Sequence, residues 1–138
     1  MSDHAGPLPV PTPETRRYWE AARRHQLELP RCRRCGHPFF YPRASCPRCL
    51  SGDLEWVAAS GRGTLHTFTV VYRGARAFPL GTPYVIAIVE LAEGPRLMTN
   101  LVDVEPDPAR LRIGMPVEVV FADVSADVAL PRFRPAPA

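Results

Sequence analysis

The chain has 138 residues, 46% of them hydrophobic, which suits one domain with a packed core or two very small ones. All 17 basic residues are Arg, and the net charge of +3 is too small by itself to announce a nucleic-acid binder. Residues 1–50 carry nine Arg against four acids (+5) and residues 51–138 eight Arg against ten acids (−2), so the front is basic and the back mildly acidic.

The opening MSDHAGPLPVPTPE lacks the positive and apolar regions of a signal peptide. The longest mostly apolar window, TPYVIAIVELA, is far short of the ~20 residues that span a bilayer. The expectation is a soluble cytoplasmic protein, whose thiols stay reduced. Residues 1–11 read as a flexible arm with three Pro and no periodicity. Thr12 and Pro13 suit an N-cap and first helical residue, and Glu14 suits the first turn. A helix over 12–26 would set Tyr18, Ala22 and His25 on one face with Trp19 beside them.

Residues 27–59 hold all four cysteines in two C-x-x-C pairs, within PRCRRCGHPFFYPRASCPRC. Leu27 to Leu29, the aromatic Phe39 to Tyr41, and Leu54 to Val57 read as short strands around them. SGRG at 60–63 breaks the pattern and marks a module boundary. Five strand candidates follow over 60–134: Thr64 to Tyr72, Tyr84 to Leu91, Arg96 to Val102, Pro116 to Ala122 and Val128 to Phe133. The second is almost wholly apolar, as if buried on both faces. Pro131 confines the last to an edge or bulge. EPDPARLRIGM leaves room for one helical turn. Without a crossover helix the sheet should be antiparallel, a five-stranded barrel of the oligomer-binding (OB) type. The fold class expected is therefore mainly β: an N-terminal helix, a rubredoxin-like zinc ribbon, and an antiparallel OB-fold barrel.

Each C-x-x-C turn brings two sulfurs to one point, and two facing turns make a tetrahedron suited to Zn²⁺. Cys32, Cys35, Cys46 and Cys49 are the candidate ligands of one structural zinc. Iron also accepts tetrahedral sulfur. A redox pair would need one C-x-x-C beside a βαβ unit, which the chain lacks. Gly36 suits a turn with positive φ, and Pro47 stiffens the second pair. Four ligands close the shell, so this metal is a staple rather than a catalyst.

No phosphate loop, dinucleotide fingerprint or nucleophile elbow is present. His66 reads as a strand residue, and Asp103, Glu105 and Asp107 read as a solvated capping loop. A ribbon beside an OB barrel also suggests single-stranded nucleic acid, with Phe68, Tyr72 and Tyr84 as stacking candidates. The acidic barrel half counts against that alternative. An uncomplexed small-molecule binder is a third.

In order along residues 12–135 run TPETRRYWEAARRHQLELPRC, CRRCGHPFFYPRASCPRC, DLEWVAASGRGTLHTFTVVYR, TPYVIAIVELAEGPRLMTNL, IGMPVEVVF and LPRFRP. This arrangement resembles the zinc-ribbon, OB-fold family associated with acyl-CoA enzymes, long a family of unknown function. The resemblance implies a non-catalytic accessory subunit or fused domain, without a catalytic residue of its own. The implied partner is a thiolase-like enzyme (thiolase, aldolase or acyltransferase), or for some members a hot-dog-fold hydratase. The subunit would stabilise the complex and shape acyl-CoA access. On that reading Tyr18 and Trp19 are candidate contacts with the partner, the alternative being docking on the chain's own ribbon. Arg23, Arg24, Arg33 and Arg34 are candidates for CoA phosphates. Phe78, Pro79 and Leu80, in the loop RGARAFPLGTP, would touch the partner.

Overall fold

The computed structural model describes residues 6–75 and 79–137. Chain order is α1 (Arg16–Arg23), β1 (Glu28–Cys32), β2 (Leu54–Ala58), β3 (Arg62–Val71), β4 (Tyr84–Leu91), β5 (Arg96–Leu101), a 3₁₀ turn (Pro108–Arg110), β6 (Pro116–Asp123) and β7 (Ala129–Pro135).

The helix is shorter at both ends than the sequence suggests. Thr12 to Thr15 form a turn in which the Thr12 carbonyl accepts from Thr15 N and Arg16 N, and Thr15 is the N-cap. At the other end His25 adopts φ 59°, the left-handed position usually given to Gly. Gln26 N bonds back to Ala21 O and His25 N to Ala22 O, which ends the helix in a Schellman arrangement. His25 therefore leaves the Tyr18 face. Its ring stacks on Phe121 of β6 at 5.3 Å, and its Nε2 lies 2.8 Å from Asp123.

β1 and β2 pair antiparallel, from Glu28↔Ala58 to Cys32↔Leu54. The expected aromatic strand at Phe39 to Tyr41 does not form. A single bridge, Arg31↔Pro38, takes its place, because Tyr18 gathers the Phe40 and Tyr41 rings at 5.4 and 6.3 Å. The aromatics serve packing instead of pairing.

β3 to β7 close a barrel in the order β3-β4-β5-β7-β6. β3 is long enough to pair with β4 along its length and with β6 through Arg62 to Thr64. The pairing expected to be antiparallel throughout is mixed: β5 meets β7 in parallel, at Leu101↔Phe133. An odd ring of strands cannot alternate direction at every joint, so one parallel seam follows from closure. The β4 expectation also changes. Val85, Ala87, Val89 and Leu91 are buried, while Tyr84, Ile86, Ile88 and Glu90 are only half-buried. One face meets the core and the other forms the barrel's outer wall. Pro131 behaves as its ring requires. It pairs with Phe121 of β6 where β5 has diverged, and its carbonyl takes a bond from Thr99 Oγ1 at 3.2 Å.

One hydrophobic core runs through both halves. Leu27, Leu29 and Tyr18 belong to the same buried cluster as Leu65, Val85, Val89, Val117 and Phe133. The SGRG break is a packed joint. Ala59 N bonds Leu27 O, Ser60 N bonds the Glu93 carboxylate, and Val119 N bonds Gly61 O. Gly61 has φ 79°, and a Cβ there would stand 2.5 Å from Val119 Cγ1, so only glycine fits.

Phe133 is fully buried at the seam where β5, β6 and β7 meet. Phe133→Ala should cost about 3–5 kcal/mol, read as the shift of a urea unfolding midpoint; a loss below about 1 kcal/mol would contradict this packing.

Candidate metal centre and exposed surfaces

The two C-x-x-C pairs build two matching turns. In the first, Gly36 N bonds Cys32 O and Cys32 N bonds His37 O. In the second, Leu50 N bonds Cys46 O and Cys46 N bonds Ser51 O. The fourth residue after each leading cysteine takes positive φ: Gly36 at 77° and Leu50 at 65°. The sequence marks the first turn with glycine. The second escapes notice because a leucine occupies the same conformation, 78% exposed.

These turns set the four ligand sulfurs within 4.8 Å of one another. Cys32 Sγ lies 3.5 Å from Cys49 Sγ, and Cys35 Sγ lies 3.6 Å from Cys46 Sγ. Sulfurs ~2.3 Å from a central cation in a tetrahedron stand about 3.8 Å apart, so the residues present fit a tetrahedral metal. Backbone amides point at the sulfurs: Cys35 N at Cys32 Sγ (3.4 Å) and Arg48 N at Cys46 Sγ (3.3 Å). The Cys35 amide is the main cause holding the Cys32 thiol below its ordinary range. Burial opposes ionisation of Cys46, but the amides of Cys49 and Arg48 and the neighbouring thiols outweigh it, bringing it down to about 7. At Cys35 the His37 amide favours the thiolate, while burial and the three other thiols prevail and push it up to about 11. Four sulfurs this close resist joint ionisation without a cation between them. All four coordination positions would be taken by protein.

The other candidates are dispersed. Tyr18 is buried against its own chain, its ring 5.0 Å from Trp19, and loss of solvent followed by the nearby Tyr41 raises its hydroxyl well above the usual range. Trp19 is half-buried beside it. Arg24 lies 3.6 Å from Glu28, which also takes Arg17 at 2.9 Å. Arg33 reaches Asp53 (3.4 Å) and Glu55 (3.7 Å), and Arg23 approaches Asp127 at 3.8 Å. Of the four candidate phosphate-binding arginines, Arg34 has no ion pair among the described residues. Pro79 is exposed and Leu80 half-buried in a turn; Phe78 lies outside the described residues.

The three stacking candidates do not form one platform. Phe68 pairs with Ala87 on the inward side of the sheet, while Tyr84 pairs with Val71 on the other side. His66 is exposed. Asp107 caps the 3₁₀ turn through Ala109 N at 2.9 Å, the role expected of that loop. Sequence reasoning missed Met98, 70% exposed, Tyr41 at 44%, and Arg132, half-buried in β7. Strand alternation could have pointed Met98 outward, but nothing local marks Arg132. Among the described residues no helix is long and apolar enough to cross a membrane.

Comparison with known proteins agrees with this architecture. The family described as "ChsH2, rubredoxin-like zinc ribbon domain" matches residues 19–55, and "ChsH2, C-terminal OB-fold domain" matches residues 56–122. A "DUF35 domain-containing scaffold protein" of Methanothermobacter thermautotrophicus is 41% identical over 80% of this chain and 84% of its own length. A Thermomonospora curvata protein named "Probable enoyl-CoA hydratase alpha subunit" is 38% identical over 94% of this chain, which spans only 40% of that subunit. The "Benzoylsuccinyl-CoA thiolase subunit BbsA" of Geobacter metallireducens is 37% identical over 51% of this chain and 47% of its own length. A solved chain from the "Ltp2-ChsH2(DUF35) aldolase" superposes with TM-score 0.83 at 37% identity, covering 94% of this chain and all of that one. Both halves are thus matched in order, and the chain belongs to the DUF35 family of ChsH2-type zinc-ribbon and OB-fold proteins.

Proposed function

We propose that this chain is a non-catalytic accessory subunit of a thiolase-like enzyme acting on acyl-CoA, stapled by one structural Zn²⁺. The observation that carries the reading is the closed four-sulfur site, on a ribbon whose Leu27 and Leu29 share the core of the barrel. Its geometry leaves a metal no open position for substrate. The names of its relatives, an aldolase complex and a thiolase subunit among them, supply the class of partner. The subunit stabilises that enzyme and helps shape the entrance used by the acyl-CoA. Arg34, free of an ion pair among the described residues, is the member of the basic set best placed electrostatically to meet a CoA phosphate. Pro79 and Leu80, with Phe78, would present the apolar loop to the partner.

Zinc bound here would hold four thiolates together and contribute folding free energy to the ribbon. Cys32, Cys35, Cys46 and Cys49 would hold it. Because Cys35 sits at about 11 in the metal-free protein, it is protonated at pH 7 and must release its proton on binding. Affinity must therefore rise with pH, by at least about tenfold per unit between pH 6 and 8. Competition between the protein and a chromophoric chelator for Zn²⁺ at three pH values measures this; a flat profile would contradict it. Cys46→Ser should lose most of the zinc and lower the melting temperature by about 10 °C or more, through a loss of several kcal/mol.

The function is tested by co-expression with a thiolase-like chain from the same genome. The two should co-elute on gel filtration, and acyl-CoA turnover should require both. Turnover of a thioester by this chain alone, or failure to co-elute with any such enzyme, would refute the proposal.

A further inference from the structure

The functional reading gives the partner one apolar loop to touch and leaves the rest of the docking face open. Cross-strand register sets Thr67, Ile88 and Met98 in one row across β3, β4 and β5, and Thr69, Ile86 and Asn100 in another. Val85, Ala87 and Val89 between them are buried, so both rows face out of the barrel. Neither row contains a charge, although 22% of the chain is charged. Covering such a surface requires no ion to be stripped of water.

The rows lead into a groove. The backbones of β5 and β7 pair at Leu101↔Phe133; farther back the Thr99 hydroxyl reaches the Pro131 carbonyl, and there both strands border an opening of about 350 Å³. Trp19 and Tyr41 line it together with Met98, Thr99, Pro131 and Arg132. Met98 stands at the junction between groove and rows, 70% exposed.

Arg132 carries the chemistry. It is half-buried, and no ion pair or hydrogen bond joins its guanidinium to any described residue. Arg134, two residues on, is paired with Glu118 at 3.0 Å. Loss of solvent lowers the Arg132 pKa. Trp19, in the same lining, has its Nε1 shut from water with no acceptor among the described residues. A guanidinium in an aromatic and aliphatic cleft complements a carboxylate, which it can take through two parallel bonds. The continuous uncharged rows beside it extend the complementary surface beyond what a small acid would cover.

Resting on the functional reading above, we propose that the groove and the two rows form one docking face for the partner enzyme, and that an apolar segment of that enzyme sets an Asp or Glu carboxylate on Arg132. The test uses the co-expressed complex. A photo-crosslinking p-benzoylphenylalanine at Met98 should capture a partner segment containing an acid, identified by mass spectrometry. Arg132→Gln and Met98→Asp should each weaken the complex about thirtyfold or more while melting within a few degrees of wild type. Ile113→Asp, at an exposed site outside the groove and rows, should bind within about threefold of wild type. Replacing the captured acid by Ala should add little to Arg132→Gln, because both remove the same pair. If wild type forms no complex, the functional reading falls and this proposal with it. If wild type forms the complex but Met98 captures nothing and both variants bind normally, the docking face is wrong while the function stands. If Met98 captures a segment yet Arg132→Gln binds normally, the pairing of Arg132 with a partner carboxylate is overturned.

Discussion

β1 is the strand on which the architecture turns. In five residues it faces three environments. Glu28 is buried and takes Arg17 and Arg24, which ties the helix to the ribbon. Leu29 enters the cluster shared with the barrel. Cys32, also fully buried, supplies the first sulfur. A buried carboxylate is costly unless paired, so Glu28 constrains the helix as well as stabilising it. The register along β1 is regular, so Glu28, Pro30 and Cys32 share one face and Leu29 the other, and both faces are buried up to Pro30. A displacement of this strand would move helix, metal site and core contact together.

That coupling explains how a ribbon this small can serve as a rigid part. About thirty residues around two turns have too little apolar surface to hold a fold unaided. Here the ribbon has two supports, the four-sulfur cluster at one end and the barrel core at the other. The aromatic residues between the cysteine pairs belong to the second support. Phe40 and Tyr41 gather around Tyr18 and close the space between helix, ribbon and barrel. The same packing leaves a groove lined by Trp19 and Tyr41 together with residues of β5 and β7.

The electrostatics divide along similar lines. Five of the nine arginines of the front half are matched by acids of the chain itself: Arg17 and Arg24 by Glu28, Arg23 by Asp127, Arg31 by Glu55, and Arg33 by Asp53 and Glu55. A basic N-terminal half is therefore a weaker signal of anion binding than its +5 charge suggests. Apart from the two on buried Glu28, these partly exposed pairs contribute little stability each, but they fix side-chain directions and lower the local potential. The informative cation lies in the acidic half, where Arg132 has no acid opposite it.

Much of this was legible in order and spacing. Each C-x-x-C turn is short enough to set its own two sulfurs together, which points to a four-sulfur site; the packing of the two turns against each other brings Cys32 to Cys49 and Cys35 to Cys46. Alternation and turn residues located all five barrel strands, and Gly36 announced its own φ. What depended on distant neighbours was not legible. The helix ends early because His25 takes a glycine's conformation, made favourable by Phe121 and Asp123 nearly a hundred residues away. Leu50 mirrors Gly36 only because the turn it closes is held by the cluster. Tyr84 to Leu91 looked doubly buried because apolar content does not distinguish a core face from a barrel's outer wall. Local chemistry determined the cation site and the strand inventory. Closure of five strands into a ring decided the parallel seam, the opening beside it, and the isolation of Arg132, since these depend on which strands become neighbours and not on what any one strand contains.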